Sequence, residues 1–344
     1  MKPPELNDLD LFQKKVLLRA DLDVDIEKSR IDKRLEILLP TLEYLNNKEC
    51  EIIVLGHRGR PEFDGDRVRD RENLSLEPVS QILENLLKEK WGEDKVGELK
   101  MQMMENLRFN QEEEENDQEF AKNLAQKGDV YINEAFSVSH RRHASIVGIP
   151  KYLPHAAGIR FIAEIENLSK VLNSPAGEPK RPLVCIISGV KEDKLDYIEG
   201  FVGLGDKVLI AGRLPEYLEI NTNKYQFSIS NEKLIVADLN PDKEDITIRS
   251  IEKFEEEIAG AGTIVLAGPI GKFEDEGHKL GTKRVFEAVV NNKSAFKVAG
   301  GGDTEKAISA LGLSNGFDWI SVGGGAMLEF LANRTLPGVE ALLH

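Results

Sequence analysis

The sequence predicts an α/β protein made of two doubly wound parallel-sheet (Rossmann-like) domains joined by a helical hinge. Two observations carry this reading. Short apolar, β-branched runs alternate with amphipathic stretches almost throughout the chain, as parallel strands covered on both faces by helices require. In addition, 344 residues are many for one hydrophobic core and suit two.

In the first half the expected strands are "KVLLRA" (15–20), "EIIVLG" (51–56), "KMQMME" (100–105) and "DVYINEA" (129–135). In the second half they are "PLVCIIS" (182–188), "DKVLIAG" (206–212), "KLIVAD" (233–238), "TIVLAG" (263–268), "AFKVAG" (295–300) and "DWISVG" (318–323). Between them, "LEPVSQILENLLKEK", "EFAKNLAQK", "GTKRVFEAVVNN" and "TEKAISALG" repeat apolar residues at helical spacing. The proline- and glycine-rich stretch "GIPKYLPHAAG" (148–158) marks the boundary, and "FIAEIENLSKVLN" (161–173) begins a helix able to connect the halves. The expected domains are 1–158 and 159–332, with a cleft between them and a tail at 333–344.

A composition of 41% hydrophobic and 31% charged residues describes an ordinary globular chain. The net charge of −15 argues against nucleic acid as a partner, because a phosphate backbone needs a basic surface. Cys50 and Cys185 each lie in an apolar strand-like run and read as buried free thiols. No apolar stretch reaches membrane-spanning length and no signal-peptide core opens the chain. A cytoplasmic protein without a membrane partner is expected. "QEEEEN" (111–116) reads as a solvated surface segment.

In doubly wound folds, ligands sit at the carboxyl ends of the strands. Arg19, Asp21 and Asp23 follow the first strand in "LLRADLDV", and His57, Arg58 and Arg60 follow the second in "GHRGRP". Arg108 follows the third, and "SVSHRRHAS" after the fourth supplies His140, Arg141, Arg142 and His143. Guanidinium forks match phosphate and carboxylate, so a small, multiply charged anion is the natural ligand. Taken singly, Arg58 and Arg142 fit a plain surface as well as a ligand site, and His140 and His143 fit structural donors better than catalysts.

The second half ends its strands in glycine: "SGVKEDK" (188–194), "AGPIGKFE" (267–274), "AGGGDT" (299–304) and "SVGGGAMLEF" (321–330). Two glycine triplets opening helices offer amides to a polyphosphate, with Lys191 or Lys194 as the mobile charge. By itself "AGGGDT" serves turn chemistry equally well, with Asp303 and Thr304 as helix N-caps. Neither G-x-x-x-x-G-K-[ST] nor G-x-G-x-x-G occurs, which leaves a nicotinamide-dependent dehydrogenase without its fingerprint. An anion site facing a polyphosphate site points to phosphoryl transfer between two substrates.

Over nearly its full length the chain resembles phosphoglycerate kinases. The motifs "VLLRADLDV", "GHRGRP", "ENLRF", "SHRRHAS", "AGPIGKFE", "AGGGDT" and "SVGGGAMLEFLANRTLPGVEAL" occur in the family's order. The resemblance implies reversible phosphoryl transfer between 1,3-bisphosphoglycerate and Mg-ADP, giving 3-phosphoglycerate and Mg-ATP. It places Asp21, Leu22 and Asp23 at the glycerate and Arg34 at the transferring group. His57, Arg60, Arg108 and Arg141 match the basic patch for the 3-phosphate, with Arg58 and Gly59 in the same loop. Lys191 matches the lysine that accompanies the moving phosphoryl, Lys194 the one at the nucleotide phosphates, and Glu274 the ribose contact. Gly301, Gly302, Asp303 and Thr304 match the loop around the nucleotide phosphates, with Asp303 toward magnesium. It further implies hinge closure and a tail that returns to the first domain. A monomer is expected.

The chain departs from the family's pattern in places. It is short, chiefly at "EINTNKYQFSISNEKLIVADLNPDKED" (219–245). Asp23 stands where asparagine is usual, Ala267 replaces another asparagine, and "SGVKEDK" is one residue shorter than the usual lysine loop. Arg213 and Pro215 interrupt a normally glycine-rich segment near the base pocket. These departures gather on the nucleotide side and define the alternative, a non-catalytic phosphate- or nucleotide-binding relative. Survival of Arg34, the lysine pair, Glu274 and "GGDT" favours the kinase.

Overall fold

The computed structural model describes residues 2–26, 33–65, 67–173, 179–220 and 231–344. The chain divides into two compact units, Met1–Ile165 with Leu336–His344, and Glu166–Thr335. Part of the shortened segment, 221–230, and the start of "IDKRLEILLPTL", 31–32, lie outside the described residues.

The first unit holds β1 (Lys15–Arg19), β2 (Glu51–Leu55), β5 (Met101–Met103), β6 (Val130–Asn133) and β7 (His155–Ala157), in the spatial order β5-β2-β1-β6-β7, all parallel. Val16, Leu17 and Leu18 are fully buried, as a central strand covered on both faces demands. Arg19 pairs in register with both Leu55 and Asn133. The carboxyl ends of the three central strands are therefore level, and the residues that follow them share one edge.

Among the described strands, a hairpin and one edge strand escaped the sequence reading. A small antiparallel hairpin, β3 (Phe63–Asp64) with β4 (Arg67–Val68), follows the "GHRGRP" motif. Strand β7 lies inside "GIPKYLPHAAG", so part of that stretch is an edge of the sheet. Three residues after a proline carry too little pattern to reveal a strand.

The expected helices form for the expected reason. Glu77–Trp91 buries Val79, Leu83, Leu86 and Leu87 along one stripe and stops at Gly92, whose φ of 87° suits glycine. Ile159–Leu172 begins within the first unit and runs into the second. Its first turn is capped from a distance. The buried carboxylate of Glu134, just past β6, accepts the N–H groups of Arg160 (3.0 Å) and Phe161 (2.9 Å) and the hydroxyl of Thr41. Burial pushes the Glu134 carboxyl above the usual range. The helix N-terminus offers favourable dipole and donors to the charged form.

The tail packs within the first unit. Leu336 and Leu342 are fully buried, and the Gly338 amide donates to the Ser139 carbonyl at 2.8 Å. A Cβ at Gly338 would lie 2.7 Å from that serine's Cβ.

The second unit is a six-stranded parallel sheet of β8 (Leu183–Ile187), β9 (Lys207–Ile210), β10 (Leu234–Val236), β11 (Thr263–Ala267), β12 (Phe296–Gly300) and β13 (Trp319–Ser321). Its order is β10-β9-β8-β11-β12-β13. Strand order reverses between β8 and β11, as it does between β1 and β6, and crevices for ligands open at such points. Ile187 pairs with both Ile210 and Ala267, so these ends are also level. Cys50 and Cys185 are free and buried. Among the described residues no helix is long and apolar enough to cross a membrane.

Candidate functional site

In the first unit a cluster of cations lies at and beyond the carboxyl ends of β1 and β2. Arg19, the last residue of β1, is wholly inaccessible to solvent. Its Nε donates to Ser145 Oγ at 2.8 Å, Nη1 to the Ala20 carbonyl at 2.5 Å and Nη2 to His57 Nδ1 at 3.0 Å. Ser145 in turn donates its hydroxyl (2.5 Å) and its N–H (2.9 Å) to the two oxygens of Glu113. Arg108 donates Nη1 to the Gly59 carbonyl at 2.7 Å and holds Nε 3.0 Å from Glu114. His143 lies 3.9 Å from both Glu113 and Glu114.

The mutual field of these groups is legible in their titration. Burial, then Arg19, Arg108, His143 and Arg141, drive the His57 pKa well below its ordinary value. Burial and the same arginines pull His143 down to about 3. Both rings are therefore neutral donors near pH 7. Glu113 is pushed up by burial against the opposing pull of Arg19 and Ser145.

Glu113 corrects one expectation. "QEEEEN" is not wholly a solvated face: Glu113 is fully buried as a counter-charge, while Glu112, Glu114 and Glu115 are exposed. The short helix Gln111–Glu115 turns one of four consecutive acids inward, opposite the arginines.

Arg34 sits beside Asp21 and Asp23. Its Nε lies 3.5 Å from Asp21 Oδ2, and Nη1 donates to the Asp23 carbonyl. Asp21 also accepts the Ser137 hydroxyl. The Asp23 carboxylate accepts the Gly59 N–H at 2.8 Å, so the residue that departs from the family pattern ties two loops together. Leu22, between them, is fully buried, and its side chain fills the space a Cβ on Gly56 would need. Only its backbone is left to face a ligand. Arg58 is likewise occupied, donating to the carbonyls of Val24, Asn73 and Ser75. Arg60 is exposed and Arg141 half-buried.

In the second unit the ends of β8, β11 and β12 come together around glycine. Gly268 has φ 116°, and a Cβ there would lie 1.9 Å from the Ser188 carbonyl oxygen. Lys194 places its ammonium between these ends, donating to the carbonyls of Ser188 and, at 3.2 Å, Ala267. Burial lowers its pKa to about 8, against the pull of Asp303 and Asp193. Thr304 is buried; its hydroxyl donates to the Gly300 carbonyl at 2.9 Å and accepts the Gly268 N–H at 2.8 Å. It ties β12 to β11.

The helix Gly302–Ala310 is capped at Gly301, φ 106°, and no side chain caps it. The N-cap expected of Asp303 and Thr304 therefore does not form, and both residues lie inside the first turn. Asp303 is exposed and pairs with Lys306 at 2.9 Å. Gly324 would meet Gly301 Cα at 2.6 Å if it carried a Cβ. The two glycine triplets are thus pressed against each other. Lys191 and Glu274 are exposed at the rims of their loops.

The structure brings His57, Arg108 and Arg141 into one field, and Arg34, Asp21 and Asp23 into another contact set. It also gathers Lys194, Gly301 and Thr304 about the ends of one sheet. The sequence reading placed Arg19 at the strand end but gave it no ligand role, and it missed Glu113. Arg19 carries a signal, a charge closing an apolar strand. Glu113 carries none, since nothing distinguishes it from its acidic neighbours.

A cluster of cationic side chains on one doubly wound sheet and glycine-lined strand ends on another suit a phosphate-handling enzyme of the kinase class. A family model described as phosphoglycerate kinase matches residues 6–234 and 222–334. The phosphoglycerate kinase of Dictyoglomus turgidum is 35% identical over 396 aligned positions, covering 98% of each chain. That of Pseudothermotoga lettingae is 33% identical, covering 99% of each. The solved phosphoglycerate kinase of Coxiella burnetii superposes with a TM-score of 0.79 at 27% identity, covering 99% of each chain. The chain belongs to the phosphoglycerate kinase family, and its activity is that of a phosphotransferase of this family.

Proposed function

We propose that the first unit binds 3-phosphoglycerate or 1,3-bisphosphoglycerate, that the second binds ATP or ADP with magnesium, and that a phosphoryl group passes reversibly between them. The observation that carries this reading is the convergence of Arg19, His57, Arg108 and His143 on one sheet edge of a chain with net charge −15. Such a cluster is costly to bury and is stabilised by a bound anion.

His57, Arg60, Arg108 and Arg141 take the 3-phosphate, with Arg58 and Gly59 shaping the loop that presents them. Asp21, Asp23 and the backbone of Leu22 flank the glycerate. Phosphoryl transfer is chiefly alignment and charge stabilisation, because its transition state spreads charge over equatorial oxygens. Arg34 and Lys191 meet that charge, and neither has to form a covalent intermediate. Lys194, Gly301, Gly302, Asp303 and Thr304 surround the nucleotide phosphates, and Glu274 takes the ribose.

The residues present fit a magnesium ion that travels with the nucleotide. Magnesium at phosphoryl sites takes one or two carboxylates and fills its shell with phosphate oxygens and water. Asp303 is an exposed carboxylate at the opening of a helix and would hold it. When bound, the ion neutralises charge on the phosphate oxygens. A cytoplasmic monomer working on small molecules completes the proposal.

The test is a coupled assay with purified protein, 3-phosphoglycerate and Mg-ATP. ATP consumption that depends on 3-phosphoglycerate is expected. Nucleotide binding without turnover would replace the reading with that of a non-catalytic relative.

A further inference from the structure

Arg19 touches no solvent and so cannot be a ligand for a dissolved anion. Yet it makes the one contact that decides how His57 can act. A guanidinium has donors and no acceptor. Its Nη2 lies 3.0 Å from His57 Nδ1, so that ring nitrogen must accept. A neutral imidazole that accepts at Nδ1 carries its proton at Nε2.

We propose that Arg19 is a positioning residue that fixes His57 as the Nε2–H tautomer, so that the ring meets a bound phosphate with a permanent N–H donor. The proposal rests on the reading of His57 as part of the 3-phosphate patch and extends it to the residue beneath.

The arrangement is locked from below. Arg19 Nε is held by Ser145 Oγ at 2.8 Å and Nη1 by the Ala20 carbonyl. Ser145 is pinned by both oxygens of the buried Glu113, and its carbonyl accepts the Tyr131 hydroxyl at 2.7 Å. With Nε and Nη1 engaged, Nη2 has a fixed direction.

The charges facing His57 are Arg19, Arg108 and Arg141, with the titratable His143 beside them, and all of them oppose its protonation. The acids of the cluster are engaged elsewhere: Glu113 with Ser145, Glu114 with Arg108, and Asp23 with the Gly59 amide. The depressed pKa and the tautomer act together. The first keeps the ring neutral, and the second turns its one proton outward from Arg19.

The arrangement has a measurable signature. Nitrogen–proton NMR of the imidazole groups in the full-length protein, with His57 assigned through His57→Gln, should show Nε2 protonated and Nδ1 bare. The pattern should hold from about pH 6 to about pH 8. A proton on Nδ1, an averaged pair of tautomers, or titration within that range would overturn the proposal. In Arg19→Lys a single ammonium replaces three directed donors. The KM for 3-phosphoglycerate should rise about tenfold, the value of one charge-assisted hydrogen bond, with kcat changing less.

The tautomer is tested by Arg19→Met, which removes every donor facing Nδ1 and should lose the pure Nε2–H pattern, whereas the ammonium of Arg19→Lys, also without an acceptor, can keep it. A tautomer unchanged in Arg19→Met would overturn the proposal even if KM rose. If Arg19→Lys fails to fold, the wild-type spectrum still decides. His57→Ala separates the two levels: an unaltered KM for 3-phosphoglycerate would remove His57 from the substrate site, whatever its tautomer.

Discussion

The first unit gathers charged side chains at the carboxyl ends of its strands, and the second gathers bare backbone there. In the first, arginines and histidines are held under one sheet edge by buried or paired acids, with Glu113 behind Arg19 and Glu114 beside Arg108. In the second, Gly268 and Gly301 take positive φ values, and one lysine supplies the charge. Burying charge carries a desolvation penalty that counter-charges must offset. Exposing backbone amides carries a conformational penalty that only glycine keeps small. The first site should therefore fail when a side chain is removed, the second when one is added.

The largest effect should come from Arg34→Ala. A cation whose contact strengthens in the transition state is expected to lower kcat by about 10²–10³-fold while the KM for 3-phosphoglycerate moves little. Equal losses in both would make Arg34 an ordinary substrate ligand. Next is Gly268→Ala, which forces a methyl group toward the Ser188 carbonyl at an unfavourable φ. It should cost about 3 kcal/mol or more in denaturant unfolding. Gly65→Ala in the first unit, where φ is also positive but no atom lies within 4 Å, should cost about 1 kcal/mol. Similar losses at both positions would dissolve the contrast.

Acid should test the side-chain site selectively. His143 has its pKa depressed to about 3 from 6.5, so the unfolded chain binds its proton first. The stability it contributes is present above pH 6.5 and is lost as pH falls toward 3, by about 2 kcal/mol at pH 5. Thermal unfolding of wild type and His143→Gln should run at a constant offset above pH 6.5, and the wild type should lose stability relative to the variant as pH falls through that window. Base should test the other site. With Lys194 near 8, kcat/KM for the nucleotide should fall above that pH, whereas kcat, measured with phosphates bound, should fall at higher pH. A flat profile would mean that the lysine never titrates in the free protein. The smallest effect belongs to Asp23→Asn. The amide oxygen can still accept the Gly59 N–H, and one negative charge leaves the anion site. The KM for 3-phosphoglycerate should stay the same or fall by about threefold; a marked rise would mean the carboxylate itself is needed.

The same contrast governs what the sequence could disclose. Strands such as "KVLLRA" and "TIVLAG" are buried on both faces, so their apolar runs announced them. His155–Ala157 is three residues long beside a proline, and no periodicity can show in so few. Arg108 and His57 were legible because charge after an apolar run is conspicuous. Glu113 was not, since which acid of a run turns inward depends on what packs above it. Thr304 looked like a helix cap, whereas its hydroxyl is engaged by Gly268 and Gly300. Leu22 belongs to a substrate motif by position and to the core by side chain. Motifs locate a loop; they do not say which of its atoms face outward.

The return of residues 336–344 to the first unit bears on how the chain is made. Everything from 166 to 335 leaves the ribosome before Gly338 can settle against Ser139. The second unit is thus contiguous in the sequence, while the first must wait for residues 336–344 to be made. A nascent chain stalled near residue 335 should carry a finished second half and an unsealed first.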